Sequence, residues 1–168
     1  MGRVLNREEL RIEVERLHER RRTIAFANGH FDLLHVGHLR YLRAAAREAD
    51  VLVVAINDDE SVARLKGPGR PIVPAPERAE LLAALEPVEY VVVFSGDSPA
   101  PLLSELQPDV HCKGTDYRKP ELVPEFQVVQ SYGGRTVLVG DPKDHATSRA
   151  PAPLAFRRRG GTATCRQG

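Results

Sequence analysis

Several features that mark other protein classes are scarce in this sequence of 168 residues. Its two cysteines, Cys112 and Cys165, lack Cys-x-x-Cys spacing, which argues against a disulfide scaffold or a zinc knuckle and favours a reducing cytoplasm. No long uninterrupted apolar run is present, so we expect no segment that spans a membrane. Residues 1–22 are charged throughout and do not contain the apolar stretch of a secretory signal.

An excess of one charge is also missing. The 24 Lys and Arg residues nearly balance the 23 Asp and Glu residues, and the formal net charge is +1. Without a broad basic field to hold a nucleic-acid backbone, a small-molecule partner is favoured over DNA or RNA. The length and the apolar content of 42% suit one domain with a single hydrophobic core.

What the chain does contain is a regular alternation of helix and strand patterns. Asn6 and Glu9 form a capping-box pattern before an apolar stripe, which predicts a helix within an N-terminal helical extension at residues 1–22. From residue 23 onward, apolar strands alternate with helices. The predicted strands are residues 23–27, 51–56, 89–94, 110–113 and 136–139, and the predicted helices are residues 36–47, 60–65, 77–85, 99–106 and 120–131. This order predicts a doubly wound, Rossmann-like α/β fold with a parallel five-stranded sheet.

Polar clusters follow three of the predicted strands. Residues 28–38 come after the first strand, residues 57–59 after the second and residues 113–117 after the fourth. In doubly wound sheets the ligand binds outside the carboxyl ends of the strands, at the point where strand order reverses. The three clusters are therefore expected at one edge of the sheet, around one site.

The sharpest signal lies in the first cluster, where His35, Gly37 and His38 form a His-x-Gly-His pattern between a strand and a helix. Two histidines three residues apart on an opening helical turn face the same way, and Gly37 leaves room for a phosphate to approach the backbone. Free N–H groups at a helix start favour an anion, and imidazoles can donate hydrogen bonds to phosphoryl oxygens. A metal-binding pair is the alternative, but two histidines with Asp32 are few ligands for zinc.

The segment from residue 28 to residue 38 resembles the signature of the cytidylyltransferase-like nucleotidyltransferase superfamily. Three further segments make the resemblance more specific: residues 64–71, residues 77–78 and the Lys-Gly-Thr-Asp-Tyr run at residues 113–117. Together they resemble the D-glycero-β-D-manno-heptose 1-phosphate adenylyltransferase family, whose members make ADP-heptose for bacterial surface polysaccharide. The resemblance runs from about residue 23 to residue 148, which we take as the nucleotidyltransferase domain.

The resemblance implies an activity and a set of residue roles. His35 and His38 would contact the nucleotide phosphates and stabilise the transition state, and Lys66 would neutralise phosphate charge. Mg²⁺ would bridge the triphosphate of ATP, held by few protein ligands, and relatives are often homodimers or larger homo-oligomers. The residues expected to bind the nucleotide are Asn28, Gly29, Phe31, Asp32, Gly37, Arg78, Lys113, Asp116, Thr147 and Ser148.

Several of these residues have a simpler interpretation. Lys66 lies in a Gly/Pro-rich stretch where charge is often only solvated. Arg78, at the start of a predicted helix, is slightly unfavourable beside the helix dipole. This mildly favours a role with anions, although an ion pair with a neighbouring acid would also explain it. Asp32 would hold either the loop or a metal-bound water, and Asp116 could simply shape a turn. His111 is interpreted as a strand residue rather than a ligand.

The C-terminal sequence departs from the family. Residues 149–168 include two prolines in three residues and show no helical periodicity, where relatives continue with an apolar helix. This predicts a disordered or atypical tail and puts the roles of Thr147 and Ser148 in question. Three other functions remain open: a cytidylyltransferase acting on glycerol 3-phosphate, a nucleotide-binding module without catalysis, and a dinucleotide oxidoreductase. The last is disfavoured because no Gly-x-Gly-x-x-Gly follows the first strand.

Overall fold

The computed structural model describes residues 1–141 of the chain. Within them the strands are β1 (Arg3–Leu5), β2 (Ile24–Gly29), β3 (Val51–Asn57), β4 (Tyr90–Phe94), β5 (Val110–Lys113) and β6 (Arg135–Leu138). The helices are α1 (Arg7–Glu19), α2 (Val36–Ala46), α3 (Asp59–Lys66), α4 (Ala75–Ala83), α5 (Ala100–Leu106) and α6 (Phe126–Ser131), and a short 3-10 helix covers Pro120–Leu122.

The strands form one parallel sheet in the order β1-β4-β3-β2-β5-β6. From β2 the chain winds outward through β3 to β4, and then returns to the other side of β2 to add β5 and β6. Strand order therefore reverses between β2 and β5, which is where such sheets bind ligands. The predicted doubly wound α/β fold is confirmed, with six strands in the described residues instead of the five expected.

The additional strand is β1, which pairs in parallel with β4, with Arg3 opposite Tyr90 and Leu5 opposite Val92. A strand of three residues is too short to show the alternation by which strands are recognised. The predicted capping box at the start of α1 is confirmed: Asn6 Oδ1 accepts from Glu9 N at 2.9 Å, and Asn6 N donates to Glu9 Oε2 at 2.8 Å.

A second difference lies between β5 and β6, where one helix over residues 120–131 was expected. The structure has the 3-10 helix Pro120–Leu122, an extended residue at Val123, and then α6. Pro124 accounts for the break, because proline disfavours helical geometry in the preceding residue and has no N–H to continue the helix.

The buried core lies in two layers, one on each face of the sheet. Along β3, Leu52, Val54 and Ile56 belong to one layer, and the alternate residues Val51 and Val53 to the other. Helices α2 and α4 contribute to the first layer, and α1, α5 and α6 to the second. None of the helices in residues 1–141 is both long and apolar enough for a membrane crossing.

Candidate functional site

A cavity of about 960 Å³ opens at the carboxyl ends of β2 and β5, the point of strand-order reversal. We call it the strand-end pocket. Its size lies within the range of small-molecule sites. The expected site residues that line it are Asn28, Gly29, Phe31, Asp32, His35, Gly37, His38, Lys66, Lys113 and Asp116. Arg78 is not among its lining residues, and Thr147 and Ser148 lie outside the described residues.

The two histidines of the His-x-Gly-His pattern lie side by side at the start of α2. Their rings stack with centroids 3.9 Å apart and an interplanar angle of 27°. His35 is the N-cap residue, and its Nδ1 accepts a hydrogen bond from Gly37 N at 3.1 Å. An imidazole that accepts at Nδ1 carries its hydrogen at Nε2 when neutral. His35 can therefore donate from Nε2.

The backbone at this helix start differs from the expectation of free N–H groups. Gly37 N donates to the His35 side chain, and the amides of His38 and Leu39 both donate to His35 O, at 2.9 and 3.3 Å. These three amides therefore have partners within the turn. The groups that the turn brings to the pocket for an anion are the two imidazole rings.

The Phe31 ring packs against the His38 ring. Phe31 is buried, its φ of 47° is in the left-handed region, and its ring centroid lies 5.1 Å from that of His38. A Cβ on Gly29 would lie 3.0 Å from the Phe31 ring, so this glycine allows the aromatic side chain to pack against the end of β2. Tyr41, one turn after His38, donates from its hydroxyl to Cys112 O at 2.7 Å and ties α2 to β5.

Asp32 fastens the turn after β2 to the segment between α3 and α4. Its carboxylate accepts from Arg70 Nη1 at 2.6 Å, from Ile72 N at 2.7 Å and from Val73 N at 3.0 Å. Burial alone would raise the pKa of Asp32, but the hydrogen bonds from Val73, Arg70 and Ile72 outweigh it and lower the pKa. Of the two roles considered for Asp32, this geometry fits the loop-holding role.

Arg78 departs from its expected place beside the phosphates. Its guanidinium is fully buried and donates to Val73 O, His30 O and Asn57 O, and to Asp59 Oδ1 at 2.7 Å. Four protein acceptors engage it, so the ion pair with a neighbouring acid is the interpretation that matches the structure. Arg78 joins the loops beneath the pocket instead of facing into it.

Two lysines approach the pocket from different elements. Lys66 is the last residue of α3 and is exposed. Lys113 is the last residue of β5, and its Nζ donates to Asn28 Oδ1 at 3.3 Å and lies 3.9 Å from Glu125 Oε2. Burial lowers the pKa of Lys113, against the opposing charges of Glu125 and Asp116. Both lysines line the strand-end pocket, and their roles toward a nucleotide stay predictions.

Two further residues lie near Lys113: His111, which the sequence interpretation assigned to a strand, and Glu125, which it did not single out. His111 is fully buried in β5 with its Nε2 3.1 Å from Asn28 Oδ1, and Glu125 precedes α6 with only 6% of its surface exposed. Glu125 lines the strand-end pocket, although it is separated from Lys113 by twelve residues in the chain. In the sequence, Glu125 could have been noticed only by its position after Pro124, at the start of a short helix.

Three kinds of comparison place the chain among known proteins. The family model described as "Cytidylyltransferase-like" matches residues 26–149. A curated protein named "Bifunctional protein HldE" from Syntrophotalea carbinolica is 52% identical over 135 residues, which cover 79% of this chain and 27% of that protein. The protein of the same name from Alcanivorax borkumensis is 44% identical over 146 residues, 87% of this chain and 30% of that protein. The chain thus spans less than a third of the length of these relatives.

Solved structures agree with the fold. The lipopolysaccharide core biosynthesis protein from Thermoplasma volcanium GSS1 superposes with a TM-score of 0.62 at 27% identity, covering 72% of this chain and 98% of that one. Pantoate-beta-alanine ligase from Francisella tularensis gives a TM-score of 0.59 at 16% identity over 82% of this chain and 66% of that one, a likeness of fold alone. The family model covers well over half of the chain, including every pocket residue from Asn28 to Asp116. The chain belongs to the cytidylyltransferase-like family.

Proposed function

We propose that this chain is a nucleotidyltransferase that transfers AMP from ATP to a heptose 1-phosphate, giving ADP-heptose and pyrophosphate. The observation that carries this proposal is the pair of stacked imidazoles of His35 and His38, which borders a pocket that Lys66 and Lys113 also line. Such a set of donors and cations suits a polyphosphate. The similarity to proteins named HldE and to a lipopolysaccharide core biosynthesis protein supports the heptose acceptor, as does the Lys-Gly-Thr-Asp-Tyr run.

The chemistry requires positioning and charge stabilisation rather than a protein nucleophile. An oxygen of the sugar phosphate attacks the α-phosphorus of ATP in line and forms a new P–O bond. The bond from the α-phosphorus to the oxygen bridging to the β-phosphorus breaks, and pyrophosphate leaves with that electron pair. Negative charge grows on the α-phosphoryl oxygens, where N–H donors of His35 and His38 stabilise it.

Mg²⁺ enters this scheme as part of the MgATP substrate. Among residues 1–141 no group of three or more His, Cys, Asp or Glu side chains is placed to hold a metal ion. The Asp32 carboxylate is engaged by Arg70 and by two backbone amides. The triphosphate oxygens would therefore supply most of the ligands, as is usual for Mg²⁺ in nucleotide sites.

Pyrophosphate release in the presence of Mg²⁺ tests the proposal directly. ATP, CTP, GTP and UTP are each combined with heptose 1-phosphate or with glycerol 3-phosphate, and His38→Ala serves as the site control. We expect release with ATP and the heptose, lost in the variant. Release with CTP and glycerol 3-phosphate would replace the proposal by a cytidylyltransferase, the activity for which the matched family is named. ATP binding without release from any pair would indicate a nucleotide-binding module.

A further inference from the structure

A short chain of polar side chains lies at the base of the strand-end pocket, between β2 and β5. Asn28 Oδ1 is its centre, with His111 Nε2 at 3.1 Å and Lys113 Nζ at 3.3 Å. His111 is fully buried and forms its aromatic contact with Phe26, at a ring-centroid distance of 6.1 Å. Asn28 and Lys113 line the pocket, whereas His111 does not. His111 is therefore connected to the pocket only indirectly, by its contact with Asn28.

The chemistry of these groups fixes which atom donates. A lysine ammonium has no acceptor, so the Asn28 atom that faces Lys113 must be the amide oxygen. That oxygen carries no hydrogen, so the hydrogen in its contact with His111 belongs to Nε2. His111 Nδ1 is buried and has no hydrogen-bond partner within residues 1–141. Burial and the nearby Lys113 charge lower the pKa of His111 to about 3, and the ring is neutral near pH 7.

Two donors on one oxygen hold the Asn28 amide in a single orientation. Because His111 and Lys113 both occupy the oxygen, the amide NH₂ lies on the other side of the group, at a residue that borders the pocket. A flipped amide would place its NH₂ against two donors and offer an oxygen to the pocket. An oxygen in that place would repel the oxygens of a nucleotide, whereas N–H groups attract them.

We propose that His111 is a positioning residue that fixes the Asn28 amide so that its NH₂ donates to an oxygen of the bound nucleotide. This inference rests on the proposed function, because it takes the ligand at Asn28 to be a nucleotide. His111 does not touch the ligand. An apolar residue at position 111 would pack into this strand without the buried, unpartnered Nδ1, and the one polar contact of the ring within residues 1–141 is with a pocket residue.

Binding of MgATP by calorimetry tests the proposal, together with KM and kcat from pyrophosphate release. We expect His111→Leu to weaken MgATP binding roughly three- to tenfold, the effect of losing one well-placed hydrogen bond. His111→Gln, whose amide can donate from a similar position, should bind within about twofold of the wild type, given the scatter of such effects. Thr136→Val is the matched control, since Thr136 is a buried polar residue opposite His111 in β6. It should leave affinity unchanged.

A double-mutant cycle separates positioning through Asn28 from a general effect on folding. If His111 acts through Asn28, the change His111→Leu weakens binding in the wild type and has no further effect in the Asn28→Ala background. Equal losses in both backgrounds, or a wild-type affinity for His111→Leu, would overturn the inference. A wild type that binds MgATP without releasing pyrophosphate would contradict the proposed function, while the binding cycle would still decide the role of His111.

Discussion

Histidines near the strand-end pocket differ in what surrounds them, and their chemistry differs accordingly. His35 and His38 stack on each other at a helix start that borders the cavity, where a hydrogen-bond donor can reach a ligand. His111 is enclosed by the sheet, and burial holds it neutral. The same residue type thus borders the cavity in one position and contacts a neighbouring amide in the other.

Replacing His38 should remove a donor that acts in the transition state. We expect His38→Ala to lower turnover by at least about two orders of magnitude, the usual loss for such a donor. Steady-state pyrophosphate release measures this. His18→Ala, an exposed histidine on α1, is the matched control and should retain wild-type turnover. Near-normal turnover of the His38 variant would contradict a role at the phosphates.

Arg78 leads to a prediction about stability instead of affinity. Arg78→Ala would remove a donor from three buried or part-buried carbonyl oxygens and from Asp59, so we expect it to lower the free energy of unfolding by about 2–4 kcal/mol. Arg64→Ala removes an ion pair between two half-exposed side chains and one hydrogen bond to Ser61 Oγ, and should cost at most about 1 kcal/mol. Urea denaturation compares the two. A stable Arg78 variant with weakened ATP binding would restore the phosphate-neutralising role.

Among the elements, β1 and α1 show that the N-terminal residues pack as part of the domain. β1 extends the sheet beyond β4, and α1 covers one face of it with Leu10 and Val14, both buried. Their apolar contacts join the core layer that also contains Phe26 and Leu103. An N-terminal helical extension was the expectation, and the helix is present, but it packs as a component of the domain.

Truncating a buried residue of α1 should therefore destabilise the whole domain. We expect Leu10→Ala to lower the free energy of unfolding by about 2–5 kcal/mol, because it leaves a cavity in the core layer. Ile12→Ala, at a position that is 38% exposed on the same helix, should cost far less. Thermal or urea unfolding measures both. Equal, small effects would show that α1 is an appendage after all.

The elements that the sequence predicted are those with strong local signals. β3 is a buried run of seven residues, and the capping-box pattern predicts where α1 begins. The location of the site was also predictable, because the His-x-Gly-His pattern and Lys113 each follow an apolar strand and parallel strands end at one edge. These signals depend on residues close together in the chain.

What was missed depends on contacts between distant segments. Arg78 appeared available to an anion because three of its four acceptors, on His30, Asn57 and Asp59, lie 48, 21 and 19 positions away in the chain. The contact of His111 with Asn28 joins residues 83 positions apart, and only the pairing of β2 with β5 brings them together. No local sequence pattern predicts the order of the strands, so contacts between residues on neighbouring strands can be identified only from the folded structure.

For the molecule as a whole, the ionisation of Lys113 should affect stability and nucleotide binding with opposite signs in alkaline solution. Burial lowers the pKa of Lys113 below the ordinary lysine value of 10.5. As pH rises from the folded-state pKa towards that value, the unfolded chain holds this proton more tightly, so the contribution of Lys113 to stability increases. The positive charge that faces the pocket is lost over the same interval.

We therefore expect the affinity for ATP to fall at a pH below the ordinary lysine value. Lys113→Arg should keep its affinity across that interval, because a guanidinium stays charged. Titration of ATP binding between about pH 7.5 and 10 on both proteins measures the difference. The same alkaline fall in the arginine variant would show that another group controls binding.

The Asp32 carboxylate also bears on the order in which the two substrates would bind. It joins the turn that leads to the histidines to the Arg70 segment that follows Lys66, so hydrogen bonds connect these two margins of the pocket. A triphosphate that draws Lys66 inward would carry Arg70, Asp32 and the histidine turn with it, and so would complete the reacting centre before the acceptor arrives. The expected kinetics are those of an ordered enzyme, with nucleotide bound first and the sugar phosphate second.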